Sequence, residues 1–270
     1  MISLVYNAVG EGDLAMNNDI RNEIIDCSIE ENTRRAKELI EQNKPMFLYK
    51  YRVGNDYDID ALKQNKIWIS RATEMDDEEE GKLYINKEEF AQALEIMEEN
   101  DPKFRNSKYR KTIEKVPLEV KKSTLICSFS EICDNEDMWN KYANQKRGFC
   151  IEYKFDELFR EEKNPLLYPV AYIDEKPIFG IKDCNKKKMV FLTLYKKTKI
   201  GCNGEQWLEQ KEWRYACFEK NLNLSDKEKG CLISVSKPTK IYFGKNSSDY
   251  LKMQIKKWVS EEKQDIELIG

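Results

Sequence analysis

The segment Leu48–Ser70, LYKYRVGNDYDIDALKQNKIWIS, alternates apolar and polar positions, shifts to a helical spacing, and alternates again, so it predicts a strand, a short helix and a second strand. Side chains alternate across a strand, which sends Leu48, Lys50 and Arg52 to one face and Tyr49 and Tyr51 to the other. Two cations on the face that should enter a core predict the rim of a pocket or a solvent edge. Upstream, residues 28–43 carry apolar Ile29, Ala36, Leu39 and Ile40 at helical spacing. Ser28 is the predicted N-cap, with Glu31 three residues later, and Pro45 ends the pattern. Downstream, the acidic turn EMDDEEEG leads into a helical pattern, NKEEFAQALEIMEEN, and a basic connection, DPKFRNSKYRKTIEK.

The second half is rich in strand patterns: TLICSFSE, GFCIEYKF, YPVAYI, EWRYACFE, GCLISVS and KIYFGK. Two helical patterns punctuate it, NEDMWNKYANQK with Asp134 or Asn135 as cap, and KKKMVFLTLYKK near 186–197. A final helix, SSDYLKMQIKKWVSEE, presents Leu251, Ile255, Trp258 and Val259. No internal repeat and no linker rich in Gly, Ser or Pro interrupts the chain. The expectation is one α+β domain over residues 46–270, preceded by a helical N-terminal arm over residues 1–45.

Composition narrows the chemistry. With 40% hydrophobic residues, the 270-residue chain can build a real core. A net charge of −3 gives no global basic field for non-specific nucleic-acid binding. The eight cysteines form no C-x-x-C pair, which predicts reduced thiols rather than zinc ligands or a disulfide framework. Histidine is absent, which removes Ser-His-Asp and Cys-His hydrolases and imidazole bases. No G-x-G-x-x-G, Walker A, G-x-S-x-G or H-E-x-x-H motif occurs. The first residues lack the pattern of a secretory signal and no window is long and apolar enough to span a bilayer, so a cytoplasmic protein without membrane contact is expected.

Four constellations carry candidate chemistry. Lys50 and Arg52, with Ser70 and Arg71 at the end of the second strand, read as an edge hairpin with solvated cations or as an anion or dinucleotide pocket. In EDMWNKYANQKRGFCIEY, Trp139 and Ala143 share one helical face and Met138 and Tyr142 the neighbouring one. That stripe is either core, or a face on which Tyr142 offers its ring to a flat heterocycle. In EQWLEQKEWRYACF, a strand would put Gln210, Glu212 and Arg214 on one face and Lys211, Trp213 and Tyr215 on the other. This reads either as a Glu212–Arg214 ion pair or as an amide and a carboxylate aimed together into a cleft. The run Asp76, Asp77, Glu78, Glu79 and Glu80 is a solvated turn or a Mg²⁺ site.

Taken together, LYKYR, NKIWIS, MWNKYANQKRGFCIEY and WLEQKEWRY resemble the bacterial domain-of-unknown-function 2971 family, in order and spacing, from about residue 47 to about residue 245. Two departures are visible. That family's Asn-Asp-Pro after the second strand reads Met75-Asp76-Asp77-Glu78 here, and its Glu-x-Glu before Trp-Arg reads Gln210-Lys211-Glu212. The same layout resembles the ADP-ribosyltransferases: a basic first strand, a YA helix (MWNKYA) and a Gln/Glu-x-Glu strand. That resemblance implies a split, mostly antiparallel central sheet flanked by helices, with NAD as substrate. It implies that Lys50, Tyr51, Arg52 and Ser70 hold NAD, that Trp139 and Tyr142 supply the aromatic contact to nicotinamide, that Glu212 is catalytic, and that Gln210 meets the acceptor. The acceptor would be a protein or a nucleic acid, and the enzyme a toxin or phage-defence effector with an antitoxin or chaperone partner. Two other classes remain: a metal-dependent nuclease using Asp76, Asp77 and Glu80, and a non-catalytic sensor or partner-binding domain in which Glu212 and Arg214 form a structural ion pair.

Overall fold

The computed structural model describes residues 15–74, 84–100, 115, 118–162, 165–175, 177–183, 185–201, 204–222, 224–225, 228–262 and 265–270. The acidic run 76–80 and most of the basic connection 101–115 lie outside them. Chain entry differs from the expected single helix over 28–43. Two helices form instead, α1 (Asn18–Ile29) and α2 (Thr33–Asn43), capped by Asn17 and Asn32. Ser28 is not a cap; its Oγ donates to the Ile24 carbonyl at 2.8 Å inside the last turn of α1. Glu31 then adopts left-handed backbone, φ 65°, which breaks the helix before Asn32 restarts it.

The expected strand–helix–strand unit follows as β1 (Phe47–Arg52), α3 (Asp56–Lys63, capped by Asn55) and β2 (Lys66–Arg71). After a short β3 (Tyr84–Ile85) and α4 (Lys87–Asn100) come β4 (Thr124–Ser130), α5 (Glu136–Tyr142) and β5 (Phe149–Lys154). Asn135, one of the two expected caps, accepts from the Met138 amide at the start of α5. Gly148 precedes β5 where a Cβ would sit 2.0 Å from the Arg52 carbonyl, so only glycine lets β5 run this close to β1. The pattern YPVAYI splits into β6 (Leu166–Pro169) and β7 (Ala171–Ile173), which join different sheets. The chain closes through β8 (Ile178–Phe179), α6 (Lys186–Leu194), β9 (Lys196–Thr198), β10 (Glu212–Phe218), β11 (Gly230–Ser234), β12 (Lys240–Phe243), α7 (Asp249–Glu261) and β13 (Glu267–Ile269).

The fold is α+β; among the described residues the central sheet has nine strands, in the order β11-β2-β4-β1-β5-β12-β13, with β10 branching from β4 and β6 pairing β10. Every pairing in it is antiparallel except β12 with β13. The branch explains the site. One side of β4 pairs along its length with β10, Thr124 opposite Phe218 through Ser130 opposite Glu212. Its other side is shared between two strands: β1 meets it at Ser130, opposite Tyr49, and β2 meets it at Ile126 and Leu125, opposite Ser70 and Arg71. Between those points, at residues 127–129, no described strand pairs with β4 on that side, and β1 and β2 splay apart.

Helix α1 belongs to the same core as the sheet. Ile24 and Ile25 have no exposed surface and share one apolar cluster with Leu48, Phe129, Tyr153 and Trp213. Burying each such isoleucine contributes about 1.5–3 kcal/mol. Six cysteines among the described residues, at 27, 127, 133, 150, 217 and 231, are free thiols. No helix among the described residues is long and apolar enough to cross a membrane.

Candidate active site

A cavity of about 270 Å³ opens where β1 and β2 part over β4. Seven of the eight residues expected at a site line it: Lys50, Tyr51, Arg52, Ser70, Tyr142, Gln210 and Glu212. Trp139 does not. Its ring lies behind the pocket, edge-on to Tyr51 at 5.3 Å, and its indole N–H donates to the Cys133 carbonyl at 2.7 Å. Met138 and Ala143 are the buried members of the α5 stripe, with Trp139 partly buried against them; Tyr142 lines the cavity.

Glu212 opens β10 and is 4% exposed. Its Oε1 accepts from Arg214 Nε at 2.8 Å and Nη2 at 2.5 Å, the pair two residues apart on one strand face that the alternation predicts. Its Oε2 meets Lys197 Nζ at 3.4 Å. Burial opposes ionisation of this carboxyl, but Arg214 and then Lys197 outweigh it and hold it at about 2. The Glu212 carboxyl is therefore ionised at neutral pH.

Gln210 is not on the strand. It ends a 3₁₀ turn, Trp207–Gln210, and Lys211 in left-handed backbone, φ 46°, swings the chain into β10. The amide still reaches the site: Nε2 donates to Tyr142 Oη at 3.4 Å, and the Gln210 carbonyl accepts from Ser130 Oγ at 2.7 Å.

The paired cations of β1 both have partners inside the protein. Arg52 forks onto Asp58 Oδ1, with Nε at 2.7 Å, and Asp58 Oδ2 accepts from the Gly54 amide at 3.0 Å. Lys50 reaches into the gap, donating to the Ser128 carbonyl at 2.8 Å and lying 5.7 Å from the centre of the Phe129 ring. Both cations thus sit where the sheet splits, one holding α3 to β1 and the other covering a β4 carbonyl that no described strand pairs. Ser70 Oγ accepts from the Trp68 indole N–H at 3.0 Å. Among the described residues the cavity is lined by Lys50, Arg52, Arg71, Lys141 and Lys197 with Glu74 and Glu212; Arg52, Arg71, Lys141 and Lys197 are paired with Asp58, Glu219, Glu205 and Glu212, whereas Lys50 binds a backbone carbonyl. Lys50 is thus the cation that the lining offers to an anionic group.

Residues 138–215 match the family model of a protein of unknown function, DUF2971. No curated protein and no solved structure gives a significant match. The matched stretch runs from α5 to β10, so it carries Tyr142, Gln210, Glu212 and Arg214 and leaves Lys50, Arg52 and Ser70 outside.

Three contributors escaped the sequence reading. Lys197 ends the pattern expected to be helical over 186–197, but α6 stops at Leu194 and Lys197 lies on β9, its side chain 5% exposed and its ammonium 4.2 Å from the centre of the Trp207 ring. Asp58 could have been found, since it follows Asn55 by three residues at the start of a capped helix, one turn from Arg52. Arg21 on α1 is fully buried and donates to the Glu212 carbonyl at 2.7 Å, bracing the site strand from behind. No local signal marks that contact, because 191 residues separate its partners. Asp76, Asp77 and Glu80, the expected nuclease ligands, lie outside the described residues.

Proposed function

We propose that this pocket binds NAD and transfers its ADP-ribose to a protein or nucleic-acid acceptor. The observation that carries the reading is Glu212: an ionised carboxylate on the wall of a cavity that Lys50 also lines, one oxygen fixed by Arg214 and the other turned to Lys197 beside Gln210 and Tyr142. In the step proposed, the bond from ribose C1′ to nicotinamide breaks and its electron pair leaves with nicotinamide. The positive charge left on the ribose is stabilised by the Glu212 carboxylate, and the acceptor's lone pair then forms the new bond to C1′ while its proton passes to water. A carboxyl held at about 2 is a poor proton acceptor at neutral pH, so the role assigned to Glu212 is electrostatic. Tyr142 would lie against the nicotinamide ring, and Gln210 would orient the acceptor. Lys50, over the Ser128 carbonyl, would hold the pyrophosphate.

A second reading, a pocket that binds a nucleotide without turnover, is favoured by Lys197. Its ammonium competes for the same Glu212 oxygen that a developing ribose cation needs. Incubating the protein with carbonyl-labelled nicotinamide NAD and with adenine-labelled NAD, in cell extract, separates the two. The transferase reading expects free labelled nicotinamide and adenine label on a macromolecule; NAD bound but intact overturns it in favour of the second reading.

A further inference from the structure

Strand β2 reads KIWISR, and alternation buries Ile67 and Ile69 while turning Trp68 outward, where it is 40% exposed. This indole lines the same cavity as Glu212. Its one polar atom is already satisfied by Ser70 Oγ at 3.0 Å, so the surface left to a ligand is its π face. The other side of the ring is fixed by Gly230 on the neighbouring strand, where a Cβ would sit 2.8 Å from indole Cζ2 and 2.9 Å from Cε2. Glycine at 230 lets the ring lie on the β11 backbone. Leu232, directly opposite Trp68 across the β2–β11 pair and 43% exposed, extends the apolar surface.

The register gives the placement. Glu212 pairs with Ser130 and Ser70 with Ile126, four residues along β4, which is about 13 Å of strand. The β2 wall of the cavity is thus a contact separate from the Glu212 end, with the Lys50 ammonium between them over Ser128. We propose that Trp68 is a stacking platform for a nucleobase, either the adenine of the dinucleotide or a base of a nucleic-acid acceptor. The inference rests on the NAD reading for which ligand enters, and on the geometry of Trp68 for how it is held.

The test is calorimetric titration of wild type, Trp68→Phe and Trp68→Ala with ADP, nicotinamide mononucleotide and a single-stranded oligonucleotide. Trp68→Ala is expected to weaken ADP at least about fivefold, the lower end of what a base stacked on an aromatic side chain contributes. Nicotinamide mononucleotide is expected to bind it as it binds wild type, and Trp68→Phe to recover most of the ADP affinity. A loss confined to the oligonucleotide supports the platform and assigns it to the acceptor's base. Unchanged affinity for both ADP and oligonucleotide in a folded Trp68→Ala overturns the inference and leaves the NAD reading standing. Trp68-dependent ADP binding in a protein that neither binds nicotinamide mononucleotide nor releases nicotinamide overturns the NAD reading alone. A wild type that binds none of the three overturns both.

Discussion

Glu212 and Glu131 are two buried carboxylates at one junction of the sheet, and they differ in what surrounds them. Glu212, opposite Ser130, has two cations, Arg214 and Lys197, and stands on the cavity wall. Glu131, the residue after Ser130, has one ion-pair partner among the described residues, Arg21, together with the Trp213 indole N–H at 2.5 Å and the Met16 amide at 2.7 Å, and it does not line the cavity. Burial pushes the Glu131 carboxyl up despite those partners, whereas at Glu212 Arg214 and then Lys197 outweigh burial and hold the carboxyl down. Burial and an arginine partner are common to both, so neither marks a functional carboxylate. Access to the cavity and a second ion-pair partner distinguish Glu212, while the Glu131 cluster ties α1 to the back of β10.

The largest expected effect falls on the sealed cluster. Arg21→Ala strands the Glu131 charge in the interior and removes a donor from the Glu212 carbonyl, so it should cost about 3–5 kcal/mol of stability in urea denaturation. A loss under about 1 kcal/mol would mean that α1 does not brace the site.

Next is acid stability, where the two carboxylates act with opposite signs. Glu212 has a folded value below its unfolded one, so its contribution is complete above about 4.5 and is lost as pH falls through about 2. The full change is on the order of 3 kcal/mol. Glu131, raised by burial, instead withdraws stability as pH rises past its unfolded value. Denaturation of wild type and Glu212→Gln between pH 5 and 2.5 should therefore show a steep acid loss in wild type and a flatter curve in the variant. Parallel curves would contradict the pairing of Glu212 with Arg214 and Lys197.

How much of this the sequence discloses follows from the range of the interactions. Strands such as Thr124–Ser130 and Phe149–Lys154 are legible because apolar and β-favouring residues declare them locally, and α5 because Asn135 caps it. The face shared by Glu212 and Arg214 follows from alternation alone. Gln210 fails that reasoning because Lys211 takes a left-handed conformation that residue type does not announce. Ser28 fails because a capping box and a serine bonding back to its own helix present the same local pattern. Lys197 and Arg21 needed the fold, since their partners are set by strand order. The cations on β1 were visible in the sequence, but their partners, Asp58 and the Ser128 carbonyl, were not read from it.

A smaller effect is expected at Arg52. Arg52→Ala leaves the buried Asp58 with the Gly54 amide alone and should lower stability by about 1–3 kcal/mol, measurable by thermal melting. If Arg52 instead serves only the ligand, NAD affinity falls while the melting temperature holds. The smallest effect belongs to the pocket rim, where Lys141 grips both Glu205 carboxylate oxygens at 2.8 and 2.7 Å. Glu205→Gln should change stability by about 0.2–1 kcal/mol, and salt should erase the difference.

The most direct measurement is nicotinamide release per folded molecule by wild type and Glu212→Gln, with the folded fraction of each taken from its unfolding curve. Glu212 is also a partner of two buried cations, so the variant is expected to be less stable, and the correction for folded fraction separates that loss from chemistry. If the Glu212 carboxylate stabilises the ribose cation, release should fall at least about a hundredfold after correction, the scale of losing one positioned electrostatic group. Equal release per folded molecule would contradict the catalytic role of Glu212 and leave it a structural partner of Arg214.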